Sequence, residues 1–501
     1  MRVTENGKYL RILPDNSAEE VKLKNYLMGW KQRKGDPFIL TENNFINQIA
    51  LGIFTSSSID CSTYTFDFSD ERLMDYQLKD VCKMLKLKHC LNANPMGLGK
   101  TVEAITALRE SKAQNAVIVV PKIIRQQWVD QLKRWWGIEA EIFEKQKILE
   151  PNKVYVINYD KLRNESVLVL FKRFRWDWVV LDEAHKIKNK DSKQAQAVKQ
   201  IPCARKMELT GTPILRYVDD LWSLLHFFGE EYSGSSYWAF AEYCCEIERT
   251  PWGNKIVGTT TNVRHQTVLH LLLQHIMIRR EGVEVAHGKT VEPVRLPMTK
   301  KQRDLYRKEK QLLLDELPEN CTISNGAVLT TRLRQTTSWP GLFIDGEVGP
   351  KFEWILEQCV NNPEEKLVVF SVFEQTASAL KAFLSSKDVK AVTVTGKHKA
   401  QQNQQSKKTF VEGDAQVLIG TIGAMGQGYD ELQNVSKTVI FIDRDWSPEI
   451  MKQAEDRLHR MGQKHLVRVY YLECQGSFDQ YVGRINLNKS EGIRSALVSE
   501  Y

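Results

Sequence analysis

MGLGKT at Met96–Thr101 lies between the apolar run His89–Ala93 and a helical pattern that opens near Lys100. Few folds place a glycine turn there. Gly97 and Gly99 lack Cβ atoms, so backbone N–H groups can close around phosphate oxygens at the positive end of the helix. In such a loop, made of Met96, Gly97, Leu98, Gly99, Lys100 and Thr101, the lysine reaches the β- and γ-phosphates and the Thr101 hydroxyl ligates Mg²⁺. The full pattern has glycine five residues before Gly99. Asn94 stands at that position, a residue type that tolerates left-handed backbone.

LDEAH at Leu181–His185 closes the apolar run Trp178–Leu181. Asp182 is thereby offered as a metal holder, and Glu183 as the group that orients and deprotonates an attacking water. An acidic pair on a solvated strand end is the bland reading. Its order and separation from the glycine turn favour a single nucleotide-binding lobe.

Around these motifs, from Arg72 to about Arg216, apolar runs alternate with helical patterns: HCLNA, AVIVVP, KVYVINY, DWVVLDE and KMELTG. Continuous apolar strands, each followed by a helix, indicate a parallel sheet covered on both faces. A second such block runs from KLVVFSVF (Lys366–Phe373) through AVTVTG, AQVLIGT and KTVIFID to VRVYYLE (Val467–Glu473). The intervening stretch is mainly helical in pattern. The expected architecture is therefore α/β: a small accessory segment (1–70), a first lobe (71–216), a helical insert and connection (217–345), a second lobe (346–485) and a tail (486–501). Within the accessory segment, GKYLRIL (Gly7–Leu13) reads as a strand. Glu19–Trp30 reads as a helix through Leu23, Leu27 and Trp30, and a structural role is favoured for the segment over a specific binding function.

At 501 residues, with 42% hydrophobic and 26% charged residues, the chain has the composition of a soluble multi-domain protein. Its net charge of +8 suits a polyanionic partner without requiring one. Nine scattered cysteines without a CxxC pair read as reduced thiols and exclude a zinc cluster. No apolar run approaches a membrane span. These features are expected of a soluble intracellular protein, in the cytoplasm of a bacterial or virus-infected cell rather than a nucleus.

QAEDRLHRMGQ at Gln453–Gln463 carries Arg457 and Arg460 three apart on an expected helix, so both can face one side. A solvated face of Glu455, Asp456, Arg457 and Arg460 is the commoner outcome for such a pattern taken alone.

Taken together, the motifs resemble a Swi/Snf-type ATPase of helicase superfamily II, from roughly Arg72 to Gly483. The resemblance implies two RecA-like lobes with ATP and Mg²⁺ in the cleft between them. It implies that Gln77 of MDYQ (Met74–Gln77) contacts the adenine. Thr210 and Thr212 of LTGTPI (Leu209–Ile214), with His185, would couple nucleotide state to DNA grip, and Arg457 and Arg460 would be arginine fingers. VVPKIIRQQW (Val119–Trp128) resembles a motif on the DNA-facing side. IRR (Ile278–Arg280), LRQTTSWPGLF (Leu333–Phe343) and VLIGTIGAMGQGYD (Val417–Asp430) match further family elements. YCCEIERTPWG (Tyr243–Gly253) resembles the branch containing fork-remodelling annealing helicases. The chain departs from the family's DEMGLGKT in having Asn94-Pro95 in place of two acidic residues.

The implied activity is that of a monomeric, DNA-stimulated ATPase that tracks along duplex or branched DNA without sequence preference and without a membrane. Its rivals are a strand-separating or branch-migrating helicase and, from another class, a catalytically idle DNA-binding scaffold.

Overall fold

The computed structural model describes residues 1–501 apart from 35, 54–58, 69–71, 146–147, 252, 281–287, 317–322, 426–430, 461 and 498–501. Two compact units result, Met1–Glu281 with Lys489–Tyr501, and Gly282–Asn488.

The first unit opens with a three-stranded antiparallel sheet, β1 (Arg2–Asn6), β2 (Tyr9–Leu13) and β3 (Ile39–Glu42). Leu10, Ile12 and Ile39 face inward against Leu23 and Leu27, forming a small core of its own. The helix expected to reach Trp30 stops at Lys24, with Asn25 as its C-cap. Gly29 then turns through a left-handed φ of 65°, so Leu27 is buried while Trp30 points outward.

The larger sheet of this unit contains β4 (His89–Asn92), β5 (Ala116–Val120), β6 (Ala140–Ile142), β7 (Val154–Asn158), β8 (Trp176–Asp182), β9 (Cys203–Leu209) and, beyond the β10–β11 hairpin (Cys245–Thr250, Gly253–Thr259), β12 (Met277–Ile278). Its order is β12-β4-β9-β8-β5-β7-β6, and every pairing is parallel. The apolar runs are continuous because helices cover both faces. On β8, Val179 and Leu181 enter one core layer, and Trp178 and Val180 the other. All five residues of β5 are fully buried, its three valines and one isoleucine each contributing roughly 1.5–3 kcal/mol of apolar transfer free energy.

The second unit repeats the plan with β13 (Lys289–Leu296), β14 (Lys366–Ser371), β15 (Ala391–Val394), β16 (Val417–Thr421), β17 (Ser436–Phe441) and β18 (Val467–Cys474). The order is β13-β18-β17-β14-β16-β15, again all parallel. The stretch 217–345 thus holds, besides its helices, the β10–β11 hairpin and two strands that join different sheets. β12 closes one edge of the first sheet and β13 one edge of the second.

Cys61 and Cys82 form a disulfide, Cα–Cα 6.1 Å, so the cysteines are not all reduced thiols as their scatter suggested; the fold brings together residues 21 apart in sequence. Trp252 and the Gly426–Asp430 part of the second-lobe motif lie outside the described residues. Among the described residues, no helix is long and apolar enough to cross a membrane.

Candidate functional site

The register of the first sheet assembles the site. Asn92 of β4 and Asp182 of β8 both pair with Leu209 of β9, one on each side. The three loops that follow these strands therefore leave one sheet edge together. They carry the glycine turn, Asp182–Glu183 and Thr210–Thr212. Such carboxyl edges are where open parallel sheets bind ligands.

Gly97 and Gly99 adopt φ of 85° and 82°, the left-handed backbone that their lack of a Cβ permits. Gly99 caps the helix Lys100–Glu110. A Cβ on Gly99 would lie 2.3 Å from Gln77 Nε2, so a side chain here would displace the Gln77 amide from the loop in addition to straining φ. Lys100 folds over its own loop, with Nζ donating to the carbonyls of Asn94 (2.7 Å) and Pro95 (3.0 Å).

Gln77 is buried at the start of the helix Asp75–Lys86. Its Oε1 accepts from the Met74 N–H at 2.9 Å, and its Nε2 donates to the Leu98 carbonyl at 3.1 Å. The Tyr76 hydroxyl donates to that carbonyl too, at 3.1 Å. The glutamine thus binds the phosphate loop to the helix of the MDYQ motif.

Asn94, where the full P-loop pattern has glycine, is completely buried and fully used. It donates through Nδ2 to Asp80 at 2.9 Å, accepts from the Arg280 N–H at 3.0 Å, and its own N–H reaches Asn92 Oδ1 at 3.1 Å. Beneath the loop, Glu103 is sealed from solvent and accepts from Asn92 Nδ2 at 2.6 Å. Burial, with the Asp80 carboxylate nearby, pushes the Glu103 carboxyl up to about 8.

Asp182 is held on three sides. Trp128 Nε1 donates to Oδ2 at 2.7 Å, the Glu183 N–H donates to Oδ1 at 2.9 Å, and the Tyr159 hydroxyl donates to the Asp182 carbonyl at 2.8 Å. Burial first, and the Glu183 charge second, raise the Asp182 carboxyl to about 7. Glu183 sits at a left-handed φ of 51°, a conformation costly for a non-glycine residue that turns its side chain out of the strand path. His185 Nδ1 lies 3.4 Å from Glu183 Oε2 and 3.2 Å from Thr210 Oγ1. Burial, with Lys186 and Lys188 close by, depresses the imidazole to about 3, so it stays neutral. Thr210 Oγ1 also accepts the Thr212 N–H at 3.1 Å. Glu183, His185, Thr210 and Thr212 are thus one connected chain.

An acidic pair whose burial already raises one pKa to about 7 gains from a divalent cation. Together with the half-buried Thr101 hydroxyl beside the loop, this donor set suits Mg²⁺ bound to a polyphosphate.

In the second unit, Arg457 and Arg460 do not lie on a helix. The helix Pro448–Glu455 ends before them, and the chain tightens into i→i−3 bonds, Arg457 N to Ala454 O at 3.3 Å and Leu458 N to Glu455 O at 3.1 Å. Glu455 is pinned by Lys289 Nζ at 2.5 Å and by the Tyr471 hydroxyl, and Leu458 is drawn into the core. Arg457 is only 4% exposed, so the solvated charged face does not form.

Sequence reading missed Trp128, Tyr159, Asp80 and Glu103 as parts of the site. Trp128 belongs to VVPKIIRQQW, whose resemblance implies the DNA-facing side, yet its indole holds Asp182. No local pattern marks the other three, because the partners that define their roles lie on other elements of the fold.

The model of the SNF2-related domain matches residues 76–342, and that of the helicase conserved C-terminal domain matches residues 350–462. A "Probable ATP-dependent DNA helicase" of Arabidopsis thaliana is 27% identical over 82% of this chain and 40% of its own length. The human SWI/SNF-related matrix-associated actin-dependent regulator of chromatin subfamily A member 1 is 23% identical over 94% and 47%. An "Uncharacterized ATP-dependent helicase" of Mycoplasma pneumoniae is 25% identical over 81% and 40%. The chain spans less than half the length of these relatives. Among solved structures, the Sulfolobus solfataricus SWI2/SNF2 ATPase core in complex with dsDNA is 21% identical, with a TM-score of 0.41, over 89% of this chain and 100% of that one.

Proposed function

We propose, for a chain that belongs to the SNF2-related family and carries its helicase conserved C-terminal domain, a DNA-stimulated ATPase that tracks along duplex DNA. The observation that carries this reading is the gathering of the phosphate loop, the Asp182–Glu183 pair and the Thr210 chain at one sheet edge. Lys100 leaves its carbonyl contacts to meet the β- and γ-phosphates, and the loop N–H groups cradle them. Thr101 and Asp182 would hold Mg²⁺, which supplies positive charge to the phosphate oxygens. Glu183 orients and deprotonates the attacking water. His185, held neutral against Glu183 and Thr210, transmits the state of that water site to the Thr210–Thr212 loop. Arg457 and Arg460 supply charge to the transferring phosphoryl group, and Gln77 contacts the adenine. DNA is held through its phosphates, so binding is tolerant of sequence and weakens steeply with salt.

The test is ATP hydrolysis measured in parallel with duplex, single-stranded and forked DNA and with RNA. Stimulation greatest with duplex supports tracking. No hydrolysis with any of them makes the chain an idle DNA-binding scaffold. Release of a labelled strand from a fork makes it a strand-separating helicase instead.

A further inference from the structure

Between the stretch Lys24–Trp30 and the helices Tyr237–Cys244 and Val263–Ile276, the first unit holds an open cavity of about 670 Å³. One wall is the Asn25–Trp30 loop. The other includes Tyr243, Arg264 and His265. The loop is clamped to its surroundings. His265 presents Nδ1 to the Tyr243 carbonyl and Nε2 to the Asn25 carbonyl, each at 2.8 Å, and its ring stacks on Tyr243 with centroids 3.8 Å apart. A Cβ on Gly29 would come within 3.3 Å of Ala239 Cβ, so the loop lies tight against the helix.

Lys24 and Arg264 stand in the wall itself, and the exposed Lys22, Lys31, Arg33 and Lys34 flank it along the chain. From Val21 to Lys34 the chain carries Lys22, Lys24, Lys31, Arg33 and Lys34 and neither Asp nor Glu. Tyr26 and Trp30 interleave with these cations. Trp30 is 39% exposed, with Lys24 Nζ 5.2 Å from its ring centre. The Arg264 guanidinium lies 4.3 Å over the Tyr26 ring. Of the nearby acids, Glu20 is paired with Lys24 at 2.5 Å, Asp36 just past the basic run accepts the Phe38 N–H at 3.0 Å, and Glu242 stands exposed in the wall. None of these residues takes part in the nucleotide site.

We propose that this cavity is a second nucleic-acid site, one that takes a single-stranded segment. A base stacks on the exposed Trp30, Arg264 in the cavity wall pairs with one phosphate, and Lys31, Arg33 and Lys34, exposed just beyond the wall, pair with the phosphates that follow. Interleaved aromatic rings and cations suit unstacked bases on a continuous backbone. A duplex would use the cations alone, because its bases already stack on one another. The binding does not depend on ATP turnover. It gives the accessory segment a role that its strand and helix signals do not reveal.

The experiment uses the full chain without nucleotide and follows fluorescence anisotropy of labelled oligo-dT, oligo-rU and a duplex, each of about 20 nucleotides or base pairs, longer than a single-site footprint. Trp30→Ala is expected to weaken oligo-dT binding about tenfold and duplex binding less than about twofold, and Trp30→Phe to restore it. The exposed triple variant Lys31→Glu/Arg33→Glu/Lys34→Glu, which touches no core residue, is expected to weaken oligo-dT at least about tenfold and to flatten its salt dependence. Equal weakening of oligo-rU assigns the site to single strands of either sugar, and its sparing assigns it to DNA. The proposal is overturned if both variants bind oligo-dT as wild type does, or if Trp30→Ala weakens the duplex as much as the single strand. Because no ATP is present, a chain that proved unable to hydrolyse ATP would still give a clear result.

Discussion

The Arg280 guanidinium grips both carboxylate oxygens of Asp80, through Nη2 at 2.6 Å and Nε at 2.9 Å, while the Arg280 N–H and Asp80 Oδ2 also hold the two ends of the Asn94 amide. The phosphate loop therefore starts from a residue locked to an ion pair. Arg280→Ala leaves Asp80 buried without its charge partner. Removing one member of a fully buried pair costs about 3–5 kcal/mol, and the partly exposed arginine reduces this to about 1–2 kcal/mol. The expected outcome is a lower melting temperature together with a several-fold higher KM for ATP. An unchanged KM in the folded variant would remove Arg280 from the positioning of the loop.

Lys100→Ala is expected to abolish turnover, since the charge that meets the β- and γ-phosphates is gone. Glu183→Gln keeps ATP binding and loses hydrolysis by roughly a hundredfold or more, because only activation of the water fails. Nucleotide binding by a fluorescent ATP analogue, read beside steady-state hydrolysis, separates the two. Wild-type turnover in Glu183→Gln would mean another group is the base.

Arg457→Ala and Arg460→Ala are expected to leave DNA binding near wild type and to cut DNA-stimulated hydrolysis by on the order of a hundredfold or more, the scale of a lost arginine finger. ATPase rate against DNA concentration, with melting temperature as control, reads this directly. Near-normal maximal turnover in both folded variants would sink the assignment.

Hydrolysis should also depend on pH through Asp182. Its carboxyl must be ionised to hold a metal, and burial with the neighbouring Glu183 charge raises it to about 7. In the free enzyme, kcat/KM at low Mg²⁺ is expected to climb as pH rises through 7 and then level off. Excess Mg²⁺ should shift this limb to lower pH, because the cation competes with the proton. A limb insensitive to Mg²⁺ would argue against Asp182 as the metal holder.

Glu103 makes a stability prediction of defined sign. Its folded carboxyl stands at about 8, above the ordinary value of 4.5, so the folded state binds a proton that the unfolded chain gives up. The stability this contributes is whole below about pH 4.5 and is lost as pH rises toward 8. Glu103→Gln, which keeps the shape and removes the titration, is expected to raise the melting temperature by a few °C at pH 8 relative to wild type, on a scale of roughly 2–4 °C per kcal/mol. No such gain should appear at pH 5. An equal gain at both pH values would point to packing rather than titration.

Much of this protein is legible along the chain because the relevant signals are local. Continuous apolar runs such as Ala116–Val120 need helices on both faces, so the two parallel sheets follow from hydrophobicity alone. The glycine turn and the LDEAH strand end are equally local, since backbone freedom and strand termination depend on a few neighbouring residues. The end of the helix at Glu455 was not legible, because it is set by Lys289 and Tyr471, which are distant in sequence. The Trp128 contact with Asp182, the Asn94–Asp80–Arg280 hub and the Cys61–Cys82 pair likewise join residues far apart in the chain. Sequence alone determined which elements form and which residue types their ends carry. Tertiary structure decided which ends meet, because strand order and register depend on how the whole set of helices packs over the sheet, and no single stretch of chain contains that information.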